Sequence, residues 1–216
     1  IGADWQVLEG LYRFDMSDYS VTPALAAGDP VKVSDTKYEI TLRDGAKFSD
    51  GTDVKAADVV SSYERTTDEK SIYRQFFTFV DSVEAKDDKT VTITLKHPFA
   101  ALKERFVNVR VVPSSMSEDE LKSKPIGSGP YKYDNISATE VTAVPNEHYN
   151  GNMPAKAATL KWSVLKDDSA RLAAALGNSI DIMEAVPADA ADKLKAASWT
   201  VESKAGYGNP FMMFNT

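Results

Sequence analysis

The residues that could carry acid–base, nucleophilic or metal chemistry are few, and their spacing argues against each of these chemistries. The chain contains no cysteine, which removes thiolate nucleophiles, thiolate metal sites and disulfides. Of the two histidines, His97 stands beside Pro98 at the end of an expected strand and His148 in a polar loop. Neither has a second histidine or a cysteine at a metal-ligand spacing, so both read as surface residues. Adjacent carboxylates occur at Asp87-Asp88 and Asp167-Asp168, where a turn and a helix cap are expected and turn chemistry accounts for them.

The segment Pro125-Ile126-Gly127-Ser128-Gly129-Pro130-Tyr131 is the other place where chemistry could sit. A phosphate loop would follow its glycines with Lys-Ser or Lys-Thr, and a nucleophile elbow would enter a helix. Here Pro130 follows at once and a strand comes next. The residues leave two readings open: a tight turn between subdomains, or a turn whose backbone also lines a cleft.

Aromatic residues are the better indicator of a binding surface. Tyr73, Phe76, Phe77 and Phe79 crowd one short loop, and Tyr207 and Phe211 flank Gly206, Gly208 and Pro210. Phe76 and Phe79 fit core packing. Tyr73 and Tyr207, in polar and glycine-rich surroundings, fit a pocket wall equally well.

Hydrophobic periodicity predicts the elements that would hold these residues. Trp5, Leu8, Leu11 and Tyr12 have helical spacing, as do Val59 and Tyr63 within Ala56 to Arg65. Tyr38, Ile40 and Leu42 alternate with polar neighbours as a half-buried strand ending at the turn Asp44-Gly45, and residues 81–95 read as a hairpin about Lys86-Asp87-Asp88-Lys89. Helices are further expected over Phe99 to Val107, Ser117 to Ser123, Ser169 to Leu176 and Ala188 to Ala197. Strands are expected at Val141 to Val144, Leu160 to Leu165, Ile180 to Ile182, Trp199 to Glu202 and Phe211 to Phe214. The hairpin-rich early part and the alternating later part suggest two subdomains that meet near residues 113–125.

Composition bounds the partners. With 216 residues, 43% hydrophobic and 26% charged, the chain is long enough for a sizeable core, and no stretch approaches a membrane-spanning length. A net charge of −7 offers no footprint for nucleic acid and opposes adsorption to anionic lipid. The apolar run Phe211-Met212-Met213-Phe214-Asn215-Thr216 is unlike a natural domain end, so the chain is expected to be a piece of a longer protein whose targeting segment lies outside it.

Several segments, taken in order, resemble the family 5 extracellular solute-binding proteins of ABC importers, the oligopeptide, dipeptide and nickel-binding class. They are Leu8-Glu9-Gly10-Leu11-Tyr12, the run from Tyr38 through Arg43 into Asp44-Gly45-Ala46-Lys47-Phe48-Ser49-Asp50-Gly51-Thr52, Ala56 to Arg65, Asp87 to Leu95, Pro125 to Tyr131, Asn146 to Gly151, Arg171 to Ile182, and Phe214-Asn215-Thr216. One departure is Lys55, where the family often has a helix-capping Thr.

The resemblance implies a mixed α/β (α+β) fold of the type II periplasmic-binding-protein kind, a ligand-binding lobe with an inserted β-rich subdomain and the second lobe absent. It places the inserted structural subdomain at 9–120, and part of the first lobe at 121–216 together with 1–8. It further implies a non-enzymatic, extracytoplasmic protein, periplasmic or lipid-anchored, that needs no cofactor or metal. Such a protein passes a peptide or similar small solute to ABC permease subunits, with membrane contact only through a possible lipid anchor outside this chain. Tyr73, Gly127, Ser128, Gly129, Tyr207 and Asn215 are the ligand-facing candidates it marks, Tyr73 through the pattern Ser71-Ile72-Tyr73. The residues leave a carboxylate-dependent hydrolase, or a protein-recognition module on the same fold, as alternatives.

Overall fold

The period-two run beginning at Lys37 forms the strand it predicts, and the hairpin that follows supplies its neighbours. The computed structural model describes residues 3–15 and 17–203. These fall into two units, Ile1–Ser163 and Val164–Thr216. In chain order the first holds α1 (Asp4–Val7), β1 (Tyr12–Phe14), β2 (Val21–Pro23), β3 (Val31–Ser34), β4 (Lys37–Thr41) and α2 (Ala56–Thr66). A 3-10 turn at Arg74–Phe77 leads into β5 (Val80–Ala85), β6 (Thr90–Leu95), α3 (Leu102–Phe106), α4 (Glu118–Ser123), β7 (Tyr131–Ile136), β8 (Glu140–Pro145) and β9 (Leu160–Ser163).

Strands β3-β4-β6-β5 form one antiparallel sheet. Central β6 buries Val91, Thr92 and Ile93 in succession, as expected of a strand covered on both faces. Its core joins Ile40, Leu42, Val59 of α2 and Phe106 of α3. Within it Tyr63 stacks on Phe106, and Phe77 meets both rings edge-on. α2 begins at Ala56 although Lys55 provides no capping hydroxyl. The Asp58 carboxylate accepts the Lys55 N–H at 2.9 Å and the Ser114 N–H at 2.8 Å, supplying the return half of a capping box, while the Asp58 N–H finds Lys55 O at 3.0 Å in place of a cap hydroxyl.

A second, smaller core lies on the antiparallel sheet β7-β8-β9, where Val7 of α1 packs with Tyr131, Tyr133 and Ala143. The unit Val164–Thr216 contains α5 (Asp168–Leu176), ended by Gly177, then a 3-10 turn at Ala188–Ala190 and α6 (Ala191–Ala196). Among the described residues no helix is long and apolar enough to cross a membrane.

Four expectations need correction. The helix expected over Trp5 to Tyr12 stops at Val7. Beyond it, Gly10 and Leu11 carbonyls accept the Leu25 and Ala24 N–H groups, and Glu9 O accepts Val111 N–H, so tertiary pairing takes the backbone groups a helix would use. The helix expected from Phe99 is confined to Leu102–Phe106, because Phe99 instead stacks on Phe79. Ile180 to Ile182 and Trp199 to Glu202 form no strand, and Ile182 is exposed. Short alternation without a partner strand leaves a ladder unpaired. Phe211 to Phe214 lies outside the described residues.

Candidate functional site

Gly127, Ser128 and Gly129 are all buried, pressed against the chain leaving α1. A Cβ on Gly127 would lie 2.0 Å from the Val7 carbonyl oxygen, and one on Gly129 2.5 Å from that of Gln6. Backbone thus approaches backbone: the Gly129 N–H donates to Val7 O at 2.9 Å, and Gly127 O accepts the Ser49 N–H at 2.9 Å. Asn146 completes the clamp, donating its side-chain amide to Gly129 O at 2.8 Å.

Beside this clamp sits a buried ion pair. Arg43 reaches Glu9 with two N–H···O bonds of 3.0 and 2.8 Å, donates to Ala24 O, and turns its Nε to Asn150 Oδ1 at 3.0 Å. Burial pushes Glu9 above the ordinary carboxylate range, while the Arg43 hydrogen bonds and charge pull it back. The fully buried Ser128 hydroxyl lies against this carboxylate without a well-formed hydrogen bond. Asn150 returns its amide N–H to Asp44 O at 2.8 Å, so the network spans both cores of the first unit.

The exposed aromatic face is built from other elements. Tyr73 and Phe76 lie at the 3-10 turn with ring centroids 6.3 Å apart, both partly open to solvent. A shallow concavity of about 430 Å³ beside them is lined by Ser71, Ile72, Arg74, Gln75 and Thr78. From the return segment after α3, the Arg110 guanidinium lies 4.0 Å from the centroid of the Trp5 ring and donates to Leu8 O at 3.3 Å. Burial holds Arg110 below its usual range; the charges of Asp4 and Tyr73 act the other way. Asp4 in turn accepts the Tyr133 hydroxyl at 2.6 Å, a contact that with burial raises that phenol's pKa.

Tyr73 is therefore an exposed aromatic residue at the 3-10 turn, and Gly127, Ser128 and Gly129 form an interior clamp against α1. Tyr207 and Asn215 lie outside the described residues. Sequence reading missed Arg110, Trp5 and Arg105, whose guanidinium lies 5.5 Å from the Phe76 ring. The period-two pattern Val107, Val109, Val111, which turns Arg110 away from the core, was the available signal. The arrangement can hold a solute by aromatic contact and cationic hydrogen bonds. Among the described residues no group of three or more His, Cys, Asp or Glu side chains is placed to hold a metal ion.

The fold agrees with what the chain is similar to. The family model for bacterial extracellular solute-binding proteins, family 5 Middle, matches residues 20–216, and the chain belongs to that family. The glutathione-binding protein GsiB of Shigella boydii serotype 4 is 29% identical over 178 residues, covering 76% of this chain and 34% of GsiB. Among solved structures, AgaA from A. tumefaciens R10, in complex with agropinic acid, superposes with a TM-score of 0.81 at 26% identity, covering 88% of this chain and 40% of AgaA. NikZ from Campylobacter jejuni, in complex with Ni(L-His), gives 0.73 at 29% identity, covering 81% and 37%. The chain spans about a third of the length of the curated relatives it matches.

Proposed function

We propose that this chain is part of the extracytoplasmic solute-binding component of an ABC importer, a non-enzymatic protein that holds a peptide or similar small solute between two lobes and delivers it to the permease. The family match over residues 20–216 carries this reading. The relatives named above bind glutathione, agropinic acid and a nickel–histidine complex, so the fold serves small polar solutes of several kinds.

In this reading residues 9–120 are the inserted structural subdomain, and 121–216 with 1–8 belong to the first lobe. Two separate buried clusters, one from Leu11 to Val111 and one around Val7, Tyr131, Tyr133 and Ala143, support that division. Tyr73 forms part of the cleft wall. Gly127, Ser128 and Gly129 act behind the wall, fixing α1 against β7. Closure of the lobes is what the permease senses.

A native mass spectrum of the complete protein, purified without denaturation, tests the reading beside one of the 216-residue chain. Adducts of small-solute mass on the complete protein alone are expected. Adducts retained equally by the chain would refute a site shared between two lobes.

A further inference from the structure

Asn150 and Gly151 follow one another in the loop after β8. An asparagine side chain is chemically labile, because the nitrogen of the next residue can close a five-membered ring onto its carbonyl carbon. A glycine in that next position has no Cβ to obstruct the approach.

Asn150 is exposed. Its Oδ1 accepts the Nε–H of Arg43 at 3.0 Å and its amide donates to Asp44 O at 2.8 Å, so the two bonds fix which end of the carboxamide is the carbonyl. A guanidinium on that oxygen draws electrons from the carbonyl carbon and stabilises the negative charge that addition places on the oxygen. The attacking group is also unencumbered: among the described residues no hydrogen bond takes the Gly151 N–H.

Asn152, in the same loop, provides an internal comparison. Its Oδ1 also accepts from an arginine, Arg13 at 2.8 Å, but Met153 follows it and commits its N–H to the Tyr149 hydroxyl at 3.3 Å. Asn178 is followed by Ser179, whose N–H donates to Ala174 O at 3.0 Å. Of these three asparagines, only Asn150 joins a polarised carbonyl to a free N–H on the next residue.

We propose that Asn150 is a site of spontaneous deamidation, converted through a succinimide to aspartate and isoaspartate, and that the conversion unties the loop after β8 from the larger core. The Gly151 nitrogen gives its proton to solvent base and adds to Asn150 Cγ. The Cγ–Nδ2 bond then breaks, and the nitrogen takes up a proton and leaves as ammonia. Water opens the ring at Cγ to give aspartate, or at the main-chain carbonyl to give isoaspartate, in which the backbone runs through the former side chain. Neither product has a side-chain N–H, so the Asp44 carbonyl loses its donor and faces oxygen instead. The chemistry is independent of what the protein binds.

The test holds the complete protein, folded, at mildly alkaline pH, where the attacking nitrogen loses its proton more readily, beside a sample unfolded in urea. Residue-level mass spectrometry of the digests, with detection of isoaspartate, locates each conversion of amide to acid. In the folded protein Asn150 is expected to convert on the order of 10- to 100-fold faster than Asn152, with isoaspartate among the products. Gly151→Ala, whose methyl would lie 2.2 Å from the Tyr149 hydroxyl and turn that ring aside, should lose the conversion. Asn150→Gln, which keeps the amide on an arm too long for the five-membered ring, should lose it too, and serves if Gly151→Ala does not fold. The aged protein should also show faster amide exchange at 43–45 than the fresh one. No conversion of Asn150 in the folded protein overturns the proposal, and conversion in the unfolded sample alone would mean that the two hydrogen bonds hold the side chain out of reach. Equal conversion of Asn150 and Asn152, or aspartate without isoaspartate, overturns the cyclic route. Unchanged exchange at 43–45 after conversion overturns the untying of the loop.

Discussion

Single residues set the tolerances of the clamp around α1. Gly127→Ala places a methyl carbon 2.0 Å from a backbone oxygen that no rotamer change can move. The expected loss is about 3 kcal/mol or more, seen as a lower unfolding midpoint in urea. Gly28 has nothing within 4 Å of its Cβ position, and Gly28→Ala should leave the midpoint unchanged. Arg43→Leu strips the partner from a buried carboxylate and should cost about 3–5 kcal/mol at neutral pH. Its pH dependence has a definite sign. Burial already raises Glu9 above its unfolded value, so the penalty for its ionisation is absent below the unfolded pKa and grows as pH rises through the folded one. Without Arg43 that folded pKa moves further up, so the gap between variant and wild type should narrow as unfolding is repeated at progressively lower pH. A constant gap would show that Glu9 is not the group responsible.

At the level of elements, α4 is an exposed helix held chiefly by its ends. The Ser117 N–H and hydroxyl both donate to Glu120 Oε2, at 2.8 and 2.6 Å, and these bonds hold the Glu120 carboxyl below its usual range. Ser117→Ala should weaken the helix by about 1 kcal/mol, read as faster amide exchange over 118–123 with exchange in β6 unchanged. Acid should act the same way: the contribution of Glu120 is present above its unfolded pKa and disappears as pH falls through the folded value.

What could be read from sequence follows the same division between local and distant causes. β4, α2 and the β5–β6 hairpin declare themselves because their apolar residues repeat with the period of the element and face one core. β1 and β2 are three residues each, one ending in proline, and exist through pairing with each other rather than through their own pattern. Trp5, Leu8, Leu11 and Tyr12 imitate a helix because tertiary contacts bury several of them for separate reasons. Tyr73 stood out by its polar setting. Arg110 did not, because its hydrogen-bond partner Leu8 is 102 positions away and nothing near Arg110 in the sequence announces that contact.

At the scale of the molecule, polar ties run between the larger core of the unit Ile1–Ser163 and the loop that follows β8, among them Arg13–Asn152, Arg43–Asn150 and Asn150–Asp44. Asn150→Ala removes two of them without touching either core. Amide exchange should quicken around 43–45 and 146–151 while β6 and β8 keep their protection; global loss of protection would mean that the two cores do not unfold as separable bodies. The outer margin of the larger sheet raises a different issue. β3 pairs with β4 alone among the described strands, and it leaves Val31 62% and Val33 53% exposed beside the Lys32–Asp35 ion pair. An open strand with apolar side chains is a template for further pairing, and a single lysine guards it here. Shelf life in concentrated stocks should therefore be limited at this strand, and Val33→Lys is the substitution that would extend it.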